Sequence, residues 1–419
     1  MKSKLITSLL TSLVLVLTLN ITARPRQKQN NDATRNRKSL VALAGIIPIP
    51  GNPLVSSDIA WVDPGTRRFY LSDRSNFGID IVDAEKDVFV GRVAGFIGPN
   101  SMTPPPPNGQ GPNGVLVTPN KKVWAGDGNS MVRVADVDPR SPNYLKIIQS
   151  ISTAIEECGS HCDRADEIAY DPADHIIVVA NNQPTTPAPP FTRTSPYATF
   201  ISADTYKVLG HIAFPGATGL EQPTWIPELH RFTISVPGYS NGGGSNGGFA
   251  EIPVMDPRTI KVTNTYKPPN CRASGQTLGP LHHLLVSCGG PVILNVLNGE
   301  IIATISQIGG GDEDWYNPGD GRFYFTAADK STPPVNSLGV IDAKTGAWLE
   351  NVPDPGGRQA VAFAENNHIF TPVQVNASII SDPSKDNTTC SQFGVRARGC
   401  IAVFMHADKV TTRKPGGEK

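Results

Sequence analysis

The sequence predicts an all-β, seven-bladed β-propeller. One unit recurs seven times, each copy holds three or four short strands, and no long amphipathic helical pattern interrupts them. The clearest pair is SSDIAWVDPGTRRFYLSDRSN near the start and DEDWYNPGDGRFYFTAADK near the end. In both, an acid leads a short strand, a Pro-Gly turn follows, and an Arg-Phe-Tyr strand runs into a polar loop with Asp. Further copies are NGVLVTPNKKVWAGDGNS, EIAYDPADHIIVVANNQ, QPTWIPELHRFTISVPGY, QTLGPLHHLLVSCGG and QAVAFAENNHIFTPVQV. Their leading residues are Asp58, Asn113, Glu167, Gln222, Gln276, Asp314 and Gln359, at intervals of 55, 54, 55, 54, 38 and 45 residues. Units of this length and strand content stack as blades, because a lone blade cannot bury both faces.

The chain opens with MKSK and then LITSLLTSLVLVLTLNITA. Two lysines before an apolar run closed by Ala23 make residues 1–23 a secretory signal peptide, which directs the protein to the secretory pathway or outside the cell. The run is short and carries Thr and Ser, so no stable membrane anchor is expected. Residues 24–38 are basic and polar and form a disordered linker or propeptide. Residues 39–408 are the single propeller domain. Its first strand, SLVALAG at 39–45, is expected to close the ring as the outer strand of the last blade; the alternative closer is the basic tail at 409–419, expected to be disordered. Residues 1–38 hold eight Lys and Arg against one acid; taken from the 37 of each sign, this leaves 29 basic and 36 acidic residues. That mildly acidic body has no basic face for nucleic acid.

Within each blade the first strand starts at the leader, a turn reverses it, and the second strand is rich in Val, Ile, Phe and Tyr. The third strand ends at a turn residue, read as Asp83, Asp138, Asp204, Asp256, Asn298, Asp342 and Asp408, whose side chains bond their own turn backbone. Six cysteines in a secreted chain suggest disulfides. Six allow fifteen pairings, and sequence proximity favours Cys158 with Cys162, Cys271 with Cys288, and Cys390 with Cys400. Asn376-Ala-Ser and Asn387-Thr-Thr are glycosylation sequons.

All seven leaders are acids or amides. Such a ring either caps strand ends and holds channel water, or forms a ligand site. Asp58, Glu167 and Asp314 are the candidate catalytic acids, with Asn113, Gln222, Gln276 and Gln359 as substrate-binding amides. Asp73, Arg74, Asn181 and Lys330 leave the second strands toward the same face, and Arg358 precedes a leader; the three cations would neutralise acids or bind a substrate oxygen. In the DED run at 312–314 only Asp314 holds the recurring position, and Asp312 and Glu313 are read as solvated loop charges. Trp61, Tyr170, Trp225, Trp315, Tyr316 and Phe363 recur in first strands as packing residues, with Trp315 the best candidate for an apolar substrate wall. His282 and His283 fall in a turn at the opposite face. Loops at 101–114, 183–197 and 239–249 elaborate the leader face, the last a flexible lid or a plain linker. No haem-attachment, phosphate-loop, G-x-S-x-G or H-E-x-x-H motif is present.

The cadence of FYLSDRSNFGIDIVDAE and RFYFTAADKSTPPVNSLGVIDAKTG resembles that of YVTN-repeat (YncE-like) propellers over about residues 40–408, and more distantly gluconolactonase and strictosidine-synthase propellers. The resemblance implies that the leaders and second-strand exits meet at the top of the channel. It also implies a binding protein, a lactonase, or an enzyme of natural-product condensation or cyclisation. From the gluconolactonase likeness, Asp58, Asn113 and Glu167 are the nearest matches to a divalent-metal site, with Ca²⁺ the implied ion, although that family's full motif is absent. The expectation is therefore a monomeric, secreted propeller holding a small molecule, without redox cofactor. The competing expectation is a non-catalytic module that binds protein, peptide or glycan.

Overall fold

A computed structural model describes residues 39–100, 109–156, 164–182 and 195–410. They form seven antiparallel four-stranded sheets, as the seven repeats predict. The first strands of the blades are Ala60–Asp63, Val115–Thr118, Ala165–Asp171, Glu221–Ile226, Gln276–Leu278, Asp314–Asn317 and Val361–Phe363. Each packs against the first strand of the next blade, and the seventh returns to the first, so these strands line a central channel.

Six blades run from inner to outer strand in chain order. The seventh is completed by Val41–Ile47, which pairs antiparallel with Cys400–His406. The N-terminal strand is thus the closer. Glu350, on the outer strand of blade six, accepts hydrogen bonds from the Leu40 and Val41 amides and from Ser39 Oγ. This clips the closing strand to the neighbouring blade as well.

Burial follows position in the blade. Second strands such as Arg68–Asp73 and Ile176–Asn181 are buried on both faces, sandwiched between neighbouring blades. Outer strands such as Val208–Ala213 alternate between buried-side and exposed residues, the period of a half-covered strand. Seven separate apolar cores result, one at each blade–blade interface; the core between blades seven and one, for example, joins Phe363 and Phe370 to Phe69 and Val82.

Every inner hairpin ends in a left-handed residue just before the second strand: Arg67, Lys121, His175, His230, His282, Gly321 and Asn367. Only one is glycine, so six blades hold a side chain there at about 1 kcal/mol each, which the interblade packing offsets. The turn after the third strand starts at Asp83, Asp256 and Asp342 as expected, where each accepts from amides two and three residues on. In blades two and five Asp136 and Asn295 open the turn, while Asp138 and Asn298 accept the amides two residues on as expected. In blade three Ser202 opens it, and Asp204 faces His175 instead.

Cys271–Cys288 and Cys390–Cys400 are disulfides, as proximity suggested. Cys158, Cys162, residues 1–38 and residues 411–419 lie outside the described residues, as do most of the 101–114 and 183–197 loops. The bridge Cys271–Cys288 closes 17 residues of blade five. By loop entropy, Cys271→Ala with Cys288→Ala is expected to lower stability by about 3 kcal/mol. Urea titration of both proteins checks this, and a loss below about 1 kcal/mol would contradict it.

Candidate functional site

The seven leaders meet at one end of the channel, linked by side-chain hydrogen bonds that pass from blade to blade. Arg74 donates to Asp58 of blade one and, through Nε at 3.1 Å and Nη2 at 2.6 Å, to Asn113 Oδ1 of blade two. Asn113 Nδ2 donates to the Ala165 carbonyl of blade three at 2.7 Å. Asn182 of blade three donates to Asp166 and accepts from the Leu220 amide of blade four. Gln222 Oε1 accepts the amides of Gln276 (2.8 Å) and Asp314 (3.1 Å), joining blades four, five and six. Gln359 Nε2 of blade seven donates to Asp312 Oδ2 at 3.0 Å.

This network divides the leaders in two. The amides Asn113, Gln222 and Gln276 are committed to the frame: they tie unpaired ends of inner strands together, and Gln276 Nε2 itself donates to the Gln222 carbonyl at 2.6 Å. The buried acids Glu167 and Asp314 are less fully used. Asp314 Oδ1 accepts from Ser287 Oγ at 2.7 Å, while its Oδ2 has no hydrogen-bond partner among the described residues. Glu167 Oε2 has none either. Buried polar atoms are nearly always paired, so these two oxygens are hydrogen-bonding capacity that the frame leaves unused beside the channel.

The structure also enlarges the ring. Register shifts after Ala165 and after Glu221 place β-bulges at the leader positions of blades three and four. A bulge re-aims a side chain, so the residue before the leader joins the site. Asp166 and Glu221 enter in this way, and Arg164 pairs with Asp166 at 2.8 Å. Of the two residues read as solvated loop charges, Glu313 is not one, and Asp312, though exposed, is tied into the ring. Glu313 is buried and accepts the Ala60 amide of blade one at 3.0 Å, reaching past the short inner strand of blade seven. Asp312 is exposed but belongs to the ring through Gln359 and lies in the field of Arg358 and Arg74.

Burial and crowding of like charges set the protonation of this ring. Burial pushes Asp314 up to about 8 against the opposing hydrogen bonds from Ser287. It raises Asp58 to about 7, with Arg74 pulling the other way. Glu167, Glu221 and Glu313 lie well above the carboxylate range, first by burial and then by neighbouring acids. Burial also acts on Asp166, but Arg164 and Arg74 outweigh it and hold that carboxyl low. At neutral pH the mouth is thus a mixture of charged pairs and neutral carboxylic acids, which can donate protons.

Beneath the mouth the channel holds a cavity of about 420 Å³. Its walls are Trp61, Tyr170, Trp225, Trp315 and Tyr316 with aliphatic residues such as Ile59 and Leu116, and Glu167, Glu313 and Asp314 stand among them. Trp61 and Trp315 meet edge to face, 5.1 Å between centroids, and close the side toward blade seven. Trp315 Nε1 donates to the Ala362 carbonyl, whereas Trp61 Nε1 is buried without a partner among the described residues. Trp315 therefore lines the cavity as expected, in company with four other aromatic residues; Phe363 packs in an interblade core.

Other candidates stand elsewhere. Asp73 caps the short turn Arg74–Asn76, accepting from the Asn76 amide, and faces Arg92. Asn181 is buried inside blade three between Thr153 and Thr199. Lys330 is an exposed loop residue that donates to the Gly289 carbonyl. His283 is buried on the Ala343 carbonyl and His282 faces Glu228, both at the turn expected to be remote from the mouth. The glycine-rich loop at 239–249 is held down: Glu251 accepts from Tyr239 and Ser245, and Arg272 donates to the Gly248 carbonyl. Asn376 and Asn387 are exposed, Asn376 as the cap of the helix Ala377–Ser381.

The trio Asp58, Asn113 and Glu167 does not fit Ca²⁺. The Arg74 guanidinium stands between Asp58 and Asn113, and both the oxygen and the nitrogen of the Asn113 amide are already bonded within the protein. Among the described residues no group of three or more His, Cys, Asp or Glu is arranged to hold a metal ion.

No family model matches the chain, and no curated protein matches it. Among solved structures, a chain of the "Crystal Structure of Mitotic Checkpoint Complex" is similar over 85% of this chain and 95% of that one, with 11% identity and a TM-score of 0.53. At that identity the likeness is one of fold alone. No helix among the described residues is long and apolar enough to cross a membrane, and the two disulfides are compatible with secretion.

Proposed function

We propose that this chain is a secreted, YVTN-repeat-like propeller that binds a flat organic molecule in its channel and acts on it without a redox cofactor, using Glu167 and Asp314 as proton donors. The observation that carries this reading is that three residues lining one aromatic cavity each hold a buried polar atom without a partner among the described residues: Glu167 at Oε2, Asp314 at Oδ2 and Trp61 at Nε1. With both acids protonated, all three positions offer a hydrogen to the ligand. The matching ligand carries acceptor oxygens, as a lactone, an enone or a quinone does, on an apolar body. A carboxylic acid that donates to a carbonyl oxygen makes its carbon electrophilic. In lactone hydrolysis water adds to that carbon as the acid's proton passes to the carbonyl oxygen. When the tetrahedral intermediate collapses, the ring C–O bond breaks, the ring oxygen leaves with a proton of the attacking water, and the hydroxyl returns its proton to the carboxylate. In cyclisation a carbon of the same molecule adds, the oxygen keeps the acid's proton as a hydroxyl, and the proton lost by the nucleophilic carbon restores the acid.

Titration with a panel of coumarin-type lactones and naphthoquinones, followed by tryptophan fluorescence, tests this. Saturable quenching is expected, and Glu167→Gln with Asp314→Asn, whose NH₂ groups still donate hydrogen bonds but cannot transfer a proton, should bind within about threefold of the native protein, under about 0.7 kcal/mol. Any compound turned over by the native protein should be bound by the double variant without turnover. Absence of binding across the panel, or undiminished turnover by the variant, would refute the reading.

A further inference from the structure

Next to the acid ring lies a vestibule of about 600 Å³ that the channel reading does not use. Its position follows from chain connectivity. Ser56 lies two residues before Asp58, and Arg358 directly precedes Gln359, so this pocket adjoins the blade seven to blade one side of the ring. The third boundary is the insert at 376–399, tied down by Cys390–Cys400 and by Thr389 Oγ1, which donates to buried Asp354 at 2.7 Å.

The chemistry of this lining is unlike that of the ring. It contains no carboxylate: the polar residues are Ser56, Gln110, Asn336, Gln374 and Asn376, with Arg358 as the one cation. Val55, Val375 and Ile380 supply apolar surface, and Ile380 is 39% exposed. Arg358 also borders a second recess of about 330 Å³ with Asn336 and Asp312. It is exposed and makes no ion pair among the described residues. The other two arginines of the mouth are both paired, Arg74 with Asp58 and Arg164 with Asp166. Asp312 is the acid whose field Arg358 shares, and its Oδ2 already accepts from Gln359. Gln110 is engaged through its oxygen, which accepts the Asn100 amide, and its NH₂ end has no partner among the described residues and serves as a second donor.

We propose that the vestibule is a subsite for an organic carboxylate, with Arg358 as its anion-binding group and Gln110 as a supporting donor. One planar guanidinium without a second cation matches a monoanionic carboxylate in geometry and charge. A phosphate dianion calls for more positive charge than this pocket holds. The ligand of the channel is then an amphiphile: an apolar, oxygen-bearing body among the tryptophans and an acid group held at the entrance. This deepens the channel reading and rests on it for where the apolar body goes.

Calorimetric titration with 1-naphthylacetate and 1-naphthylacetamide, which differ only in the charged group, tests the subsite. The carboxylate is expected to bind at least tenfold more tightly than the amide at low salt, with the margin shrinking as salt is added. Arg358→Gln should erase the margin while leaving amide affinity and the urea midpoint unchanged, and Arg358→Lys should retain part of it. Equal binding of the two probes to the native protein, or a margin that survives Arg358→Gln, overturns the subsite and leaves the channel reading standing. If neither probe binds into the millimolar range, both fail.

Discussion

Replacing Arg74 with methionine is expected to destabilise the protein by about 3–5 kcal/mol at pH 8, the loss found when one partner of a buried ion pair is removed. Arg74 is 6% exposed, pairs with Asp58, and gives Asn113 Oδ1 two hydrogen bonds. Methionine fills much of the volume and supplies no donor, so the penalty is electrostatic. It should also depend on pH. Arg74 is what holds Asp58 down against burial, so without it that carboxyl rises beyond about 7 and is neutral in mild acid. The destabilisation therefore shrinks toward pH 5, where what remains is the unsatisfied Asn113 carbonyl, about 1–3 kcal/mol. Adding Asp58→Asn should restore most of the stability at pH 8. Urea unfolding of the three proteins at pH 5 and pH 8 separates these contributions. A penalty that is equal at the two pH values, or that Asp58→Asn does not relieve, would show that Arg74 acts through packing instead.

The same residues show where sequence reading succeeds and where it stops. Seven acid or amide leaders converge because each lies within two residues of the start of a first strand, and strand order in a propeller is set by local cadence. The closing strand was legible for a related reason: Val41–Ile47 is an apolar strand left over once seven blades are filled. What stayed hidden depends on neighbours distant in sequence. A bulge at Ala165 or Glu221 is settled by how the strand meets its partner, so the recurring pattern in the sequence singled out neither Asp166 nor Glu221. The doubled polar pairs Asp166-Glu167, Glu221-Gln222 and Glu313-Asp314 were the available signal. Asp73 and Asn181 went the other way. They have the residue types of a site, yet the backbone amide of Asn76 and the hydroxyls of Thr153 and Thr199 claim them. The left-handed residues at the inner hairpins were equally silent, since six of the seven are not glycine.

Asp314→Asn is expected to make the protein more stable in alkaline solution, against the usual effect of altering a buried residue. In the folded protein this carboxyl titrates at about 8, and in the unfolded chain near its ordinary 3.8. Between those values the folded protein binds a proton that the unfolded chain has released. Stability therefore falls as pH rises through this window; the contribution is complete below about pH 4 and gone above about 8. Ionising the group in place costs roughly 6 kcal/mol, at about 1.36 kcal/mol for each pH unit. Asparagine resembles the protonated acid in shape. Its oxygen can accept from Ser287 Oγ as Asp314 Oδ1 does, and its NH₂ can donate where the unpartnered Oδ2 stands. The variant should match the native protein near pH 4, exceed it by several degrees in Tm at pH 8.5, and show a shallower decline between. Asp58, at about 7, adds a decline of the same sign that the variant keeps, so the curve flattens without becoming level. Calorimetric melting from pH 4 to pH 9 measures the difference. Parallel curves would mean that Asp314 is ionised throughout, and the proton donor proposed for the channel would be lost with it.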